Sequence, residues 1–173
     1  MKDELFPIVD PQGNIIGRAT RKECHSGSKL LHPVVHLHVV DKDGNIFLQL
    51  RSHLKDIQPS KWDTAVGGHV DFGENIEIAL RRECKEELGI TLGDYRYLTS
   101  YIFESEIEKE LINVFSITVN QKEFSPKLNP DEIADGRFWS QNEIIESKDS
   151  GIFTPNFISE YLRIQDLLNN RNT

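Results

Sequence analysis

Between Asn75 and Leu88 the apolar side chains Ile76, Leu80, Cys84 and Leu88 recur at every fourth position, and Gly89 follows the last of them. A helix turns once in about 3.6 residues, so this spacing draws a buried stripe along an amphipathic helix that glycine then ends. Whatever the chain folds into, that stripe must lie on an apolar layer. The same helix carries RRECKEELG, residues 81–89, which sets Glu83 and Glu87 one turn apart, Glu86 beside them and Arg82 over Glu86. In bulk water such crowding costs only a few tenths of a kcal/mol per pair, and a solvated acidic face accounts for the helix taken alone.

What precedes the helix changes the reading. VGGHVDFGE, residues 66–74, ends a strand on two glycines, adds a third, and places Glu74 immediately before the helix. Glycine lets backbone and carboxylates approach a bound ion or phosphate closely, and an ordinary turn needs fewer of them. In a partly enclosed cleft, two carboxylates about 5 Å apart at an effective dielectric of roughly 20 repel by about 3 kcal/mol. Three or four of them require a cation. The candidate ligands are hard oxygens, which favours magnesium or manganese, and a metal-activated water attacking a diphosphate follows from that choice.

Around this centre the chain reads as a mixed α/β layer fold. The turns DPQG (10–13) and DKDG (41–44) predict hairpins pairing roughly 5–9 with 14–21 and 34–40 with 46–51. Asp41, Asp43 and Asn45 begin like a calcium loop, but the glycine comes too early and Ser52 stands where the closing Glu belongs, so a hairpin turn is the expectation. Strands are predicted over 95–103, 111–119 and 137–140, and Thr154 with Pro155 opens a closing helix to about Leu168. At 173 residues one domain is expected, with an N-terminal β-hairpin extension over about 1–24. A net charge of −8 argues against nucleic-acid and anionic-membrane partners. Two distant cysteines, Cys24 and Cys84, suit reduced core thiols, and no apolar run reaches signal-peptide or membrane-span length, so a cytoplasmic protein is expected.

Residues 68–90, GHVDFGENIEIALRRECKEELGI, resemble the Nudix box without a mismatch: Gly68, five residues, Glu74, seven residues, then Arg82 through Ile90. The resemblance implies an α/β/α sandwich with a mixed sheet, in which the box forms loop–helix–loop and its glutamates bind the divalent ions that activate water against a diphosphate. On that basis Glu83, Glu86 and Glu87 are metal ligands or base, Arg82 orients them, and Gly68 and Glu74 complete the metal-binding set.

A second constellation lies outside the box. His25, His32 and His69, with Glu108 and Glu110 on one side of an extended stretch, offer three imidazoles and two carboxylates for another metal. One at a time, each is more often a surface or hydrogen-bonded residue. The arrangement ECHSGSKLLHPVVHLHV, LQLRSHLKDIQPSKWD, GHV and EKEL, over about 25–120, is similar to the Nudix branch that contains isopentenyl-diphosphate isomerase. That similarity implies a metal held by these five residues, and Arg51 and Lys55 holding a substrate diphosphate. Two departures count against isomerisation. Gly67 stands where the isomerases carry a proton-donating cysteine, and Asn156 where they carry a carbocation-facing tryptophan. The box that isomerases tend to degrade is complete. A magnesium- or manganese-dependent hydrolase of a small-molecule diphosphate is therefore the leading expectation, ahead of an isomerase using another acid and of a non-catalytic binding module. The oligomeric state stays open, with a homodimer one option since dimers are common among such relatives.

Overall fold

The computed structural model describes residues 3–170. The single-domain reading and the N-terminal extension also reach residues 1–2 and 171–173, which lie outside the described residues. Strands β1 (Leu5–Val9) and β2 (Ile15–Thr20) pair about the DPQG turn, where Asp10 accepts the N–H groups of Gln12 and Asn14. Helix α1 (Arg21–Cys24) follows, opened by a reciprocal Thr20–Glu23 capping box. Then come β3 (Leu31–Asp41), β4 (Ile46–Arg51), β5 (Trp62–Thr64), β6 (Val66–His69), α2 (Ile76–Leu88), β7 (Arg96–Glu104), β8 (Lys109–Val119), β9 (Ile133–Trp139), α3 (Gln141–Ser147) and α4 (Pro155–Asn169). The β3–β4 turn is closed locally, with the Asp41 carboxylate accepting the N–H groups of Asp43 and Asn45.

Strand β3 is the spine of a mixed sheet. It runs parallel to β8 along its whole length, Leu31 opposite Lys109 to Asp41 opposite Val119. On the other edge it meets β4 only at Val39 and Val40, because β6 occupies the position opposite Val34 to Leu37. The chain reaches that position by a crossover: β5 lies on β4, and after Ala65 the backbone switches neighbours to become β6. Strand β7 extends the sheet beyond β8, and β9 pairs with β4.

Side chains on successive β3 residues alternate between two helical layers. Val35, Leu37 and Val39 pack with Phe47 and Val66 against Ala79, Leu80, Cys84 and Leu88 of α2. Val34 and Val40 pack with Leu48, Ile112 and Val114 against Phe157, Tyr161, Ile164 and Leu168 of α4. The result is an α/β/α sandwich, with both cysteines buried as free thiols. No helix among the described residues is long and apolar enough to cross a membrane.

Gly89 ends α2 in the left-handed region, at φ 63°, with its N–H on the carbonyl of Lys85. A Cβ there would stand 3.0 Å from the Lys127 Cβ and 3.2 Å from its carbonyl oxygen, and Lys127 is itself pinned by its N–H to the Leu88 carbonyl. Gly89→Ala is expected to cost about 1–2 kcal/mol of stability, read as a lower urea midpoint at unchanged slope. An unmoved midpoint would show that the cap carries no conformational demand.

Candidate active site and metal centres

Strand β6 and helix α2 meet at an arginine. Arg82 grips Glu74 with two nitrogens, at 2.7 and 2.9 Å, and a third reaches Glu83 at 2.7 Å and Glu86 at 3.2 Å. It also donates to the carbonyl of His69 at 3.0 Å, fixing the β6 end to the helix. These anions raise its proton affinity further, Glu74 foremost, while Arg82 holds the Glu74 carboxyl below the usual range.

The carboxylates themselves are crowded and largely dry. Glu83 rests on Gly68, where a Cβ would overlap the carboxylate, so any other residue there would displace the Glu83 side chain. Glu87 is buried and accepts Gln49 Nε2 at 2.8 Å together with the backbone N–H of Gly67. Burial pushes Glu83 up to about 7 against the pull of Arg82, and pushes Glu87 up to about 8, with repulsion from Glu83 adding to it. Glu86 is half exposed at the rim. A hard-oxygen set short of positive charge fits a divalent cation such as magnesium or manganese.

The second constellation assembles on the α4 side of the sheet. His32 and Glu110 are register partners on β3 and β8, His69 ends β6, His25 caps α1, and Glu108 immediately precedes β8. One ligand atom from each lies within 4.8 Å of all the others, close to the span of donors sharing one ion with bonds of about 2.1 Å. His25 and His69 approach Nε2 to Nε2 at 3.2 Å, and His25 lies 3.3 Å from Glu108. The His25–Glu108 distance looks like an ion pair, but the charges disagree. Burial takes His25 down to about 4, His69 down to about 3, and lowers His32, while it pushes Glu108 up to about 7 and raises Glu110. The imidazoles are therefore neutral, which is the form that binds metal. His32 Nε2 is buried without a partner, as expected of a lone pair awaiting an ion. Its other nitrogen is fixed by the Leu30 carbonyl at 2.9 Å.

Of the phosphate candidates, Arg51 ends β4 and Lys55 lies in the segment after it. Arg51 donates to the carbonyls of Ile57 and Gln58 and reaches Asp63 at 3.4 Å, and Lys55 pairs with Glu132. The charge of Lys55 helps to lower His69, and that of its partner Glu132 helps to raise Glu87.

A family model described as NUDIX domain matches residues 30–160. The chain belongs to the Nudix family. An uncharacterized Nudix hydrolase of Yersinia pestis is 34% identical over 152 residues, covering 88% of this chain and 80% of that one. An isopentenyl-diphosphate Delta-isomerase of Aliivibrio fischeri is 30% identical over 150 residues, covering 82% of each. Among solved structures, a crystal structure from Deinococcus radiodurans overlays at a TM-score of 0.79 with 23% identity, covering 92% of this chain and 98% of that one, which speaks for the fold.

Beyond the Nudix box, several contributors were not anticipated from the sequence. Phe6 of β1 stacks on His69 at 4.5 Å between centroids and on His32 at 5.6 Å, making an apolar floor under the imidazoles. Gln49 restrains Glu87. The His36 ring also lies against Gly67, a neighbour not anticipated from the sequence. Alternation along HLHV was the available signal, since it puts His36 and His38 on the layer of Val34 and Val40, where a histidine demands a polar partner.

Proposed function

We propose that this chain is a divalent-metal-dependent hydrolase of a diphosphate linkage in a small molecule. The observation that carries the reading is the pair Glu83 and Glu87, the first largely and the second fully buried beside Gly68 and Gly67, with Arg82 bonded to Glu83 and no cation on Glu87 among its described partners. Glu83, Glu86 and Glu87 hold magnesium or manganese, and whichever of them is free of the ion takes the proton of the attacking water. When bound, the ion supplies an acidified water and charge neutralisation at phosphorus. Arg82 and Glu74 keep the glutamates aimed. Arg51 and Lys55 turn from their present partners to the outer phosphate oxygens, and His25, His32, His69, Glu108 and Glu110 hold a second ion. The reading is of one cytoplasmic domain over residues 1–173, acting on small molecules and not on nucleic acid or membrane.

The similarity to isomerase-named relatives makes isomerisation the rival reading. Against it stand the complete box and Asn156, whose side-chain oxygen accepts the Tyr101 hydroxyl at 3.4 Å and which offers no aromatic face to a carbocation. Both readings are tested by incubating the protein with magnesium and a panel of diphosphates, isopentenyl diphosphate among them, in deuterated water. Phosphate or monophosphate release from at least one compound, with no deuterium in dimethylallyl diphosphate, is expected. Deuterium in carbon at enzymatic rates would replace the hydrolase with an isomerase.

A further inference from the structure

His36 and His38 project from β3 toward α4, and there they meet a carboxylate. Glu160 is buried in the middle of the apolar stripe of α4, with Phe157, Tyr161 and Ile164 around it. It accepts His36 Nδ1 at 2.8 Å, His38 Nε2 at 2.7 Å and the Tyr101 hydroxyl. A carboxylate in an apolar layer is tolerable only when its lone pairs are met, and well-packed apolar residues usually serve stability as well or better. Joining α4 to the sheet does not explain why two histidines and a tyrosine are committed to one acid.

The arrangement leaves one nitrogen of His36 uncommitted. With Nδ1 on Glu160, the opposite ring edge faces Gly67, where a Cβ would stand 3.3 Å from Cδ2 and 3.5 Å from Nε2. The side chain keeps 11% of its surface open. Gly67 is absent from the glycines with positive φ, so the backbone does not demand glycine there. What glycine provides is access to the ring. Gly67 also gives its N–H to Glu87, and His69 of the second constellation follows two residues later, so His36 fronts the seam between the two centres. Burial works against a charge on this ring, but Glu160 above all, with Asp63 and Glu110, raises it to about 9.

We propose that His36 contacts substrate: held through Nδ1 by Glu160, it donates from Nε2 to a phosphoryl oxygen of a diphosphate lying across Gly67. The proposal rests on the diphosphate reading above and adds a cation that the box does not contain. It also gives Gly67 a purpose, because any larger side chain would cover the donor.

Two substitutions separate the nitrogens. The amide of Asn stands near the place of Nδ1 and that of Gln near the place of Nε2. Binding of inorganic pyrophosphate with magnesium is measured by calorimetry for the wild type, His36→Asn, His36→Gln and Gly67→Ala, each with its thermal transition. Losing one charge-assisted donor weakens binding by about tenfold or more, so His36→Asn is expected to do this with its transition retained. His36→Gln keeps a neutral donor there, so it should weaken binding less than His36→Asn while melting earlier, because Glu160 has lost a donor. Gly67→Ala should weaken binding several-fold with the histidine–glutamate pair intact. If His36→Asn does not fold, Gly67→Ala decides by the same criterion. Wild-type affinity in whichever of His36→Asn and Gly67→Ala fold, or no pyrophosphate binding by the wild type, overturns the proposal. The hydrolase reading is scored apart from this, by product release from the diphosphate panel in the wild type and Glu87→Gln.

Discussion

Glu86→Gln and Glu87→Gln should each lower turnover by at least about a hundredfold while leaving the fold intact, because each removes a charge that holds the ion without altering side-chain volume. Glu86 sits at the rim, and Arg82 keeps its closer partners Glu74 and Glu83 when Glu86 is neutralised. Glu87 is buried, yet Gln49 Nε2 can meet an amide oxygen as it meets the carboxylate. The magnesium-free protein tells the same story through stability. Glu83 and Glu87 have folded pKa values raised from 4.5 to about 7 and about 8. Their contribution is therefore complete below pH about 4.5 and is lost as pH rises through about 7 and 8. Bound magnesium offsets that loss, so its effect on the melting temperature should be larger at pH 8 than at pH 6, and Glu87→Gln should blunt it. Near-normal turnover in both variants would end the assignment of these glutamates as ligands.

The second large effect concerns the histidine cluster. Glu110→Gln and His69→Ala are each expected to drop the metal retained after desalting from about one ion per chain to near none, since each removes a donor from a set of five. Elemental analysis of the purified variants reads this directly, and a metal-soaked crystal structure reads the geometry. Side chains that diverge around a bound ion, or two histidine nitrogens left far outside coordination distance, would refute a shared site.

Legibility followed locality. Helix α2 was readable because its stripe, its Asn75 cap and its Gly89 stop all fall within one stretch, and the box that rides on it shares that contiguity. The closing helix announced itself through Thr154 and Pro155. Helix α1 has a single turn and no period to detect, while α3 is too short for a period and opens on a Ser140–Glu143 box that is visible in the sequence. Strand β9 begins at Ile133, earlier than expected, because Asp135 and Gly136 read as a turn while Gly136 is needed where the Phe47 ring would meet a Cβ. The crossover from β5 to β6 left no mark, since strand partners are chosen by the whole sheet. Glu160 falls on the apolar stripe of α4, three residues after Phe157 and four before Ile164, but its partner His36 lies 124 residues away and the helix pattern does not name it.

The β1–β2 hairpin has a practical bearing on where this molecule can be cut. Its Phe6 ring lies flat on His69 and near-parallel to His32, and its Leu5 carbonyl accepts the N–H of Phe72 in the box loop. A fragment trimmed to the matched residues 30–160 would retain every glutamate of the box. It would lack His25, the aromatic floor beneath His32 and His69, and the last turns of α4 beyond Glu160. Trimming at that boundary would thus separate two chemistries that the intact chain keeps on adjacent residues, leaving a carboxylate centre beside a set of imidazoles open to water and to competing ions.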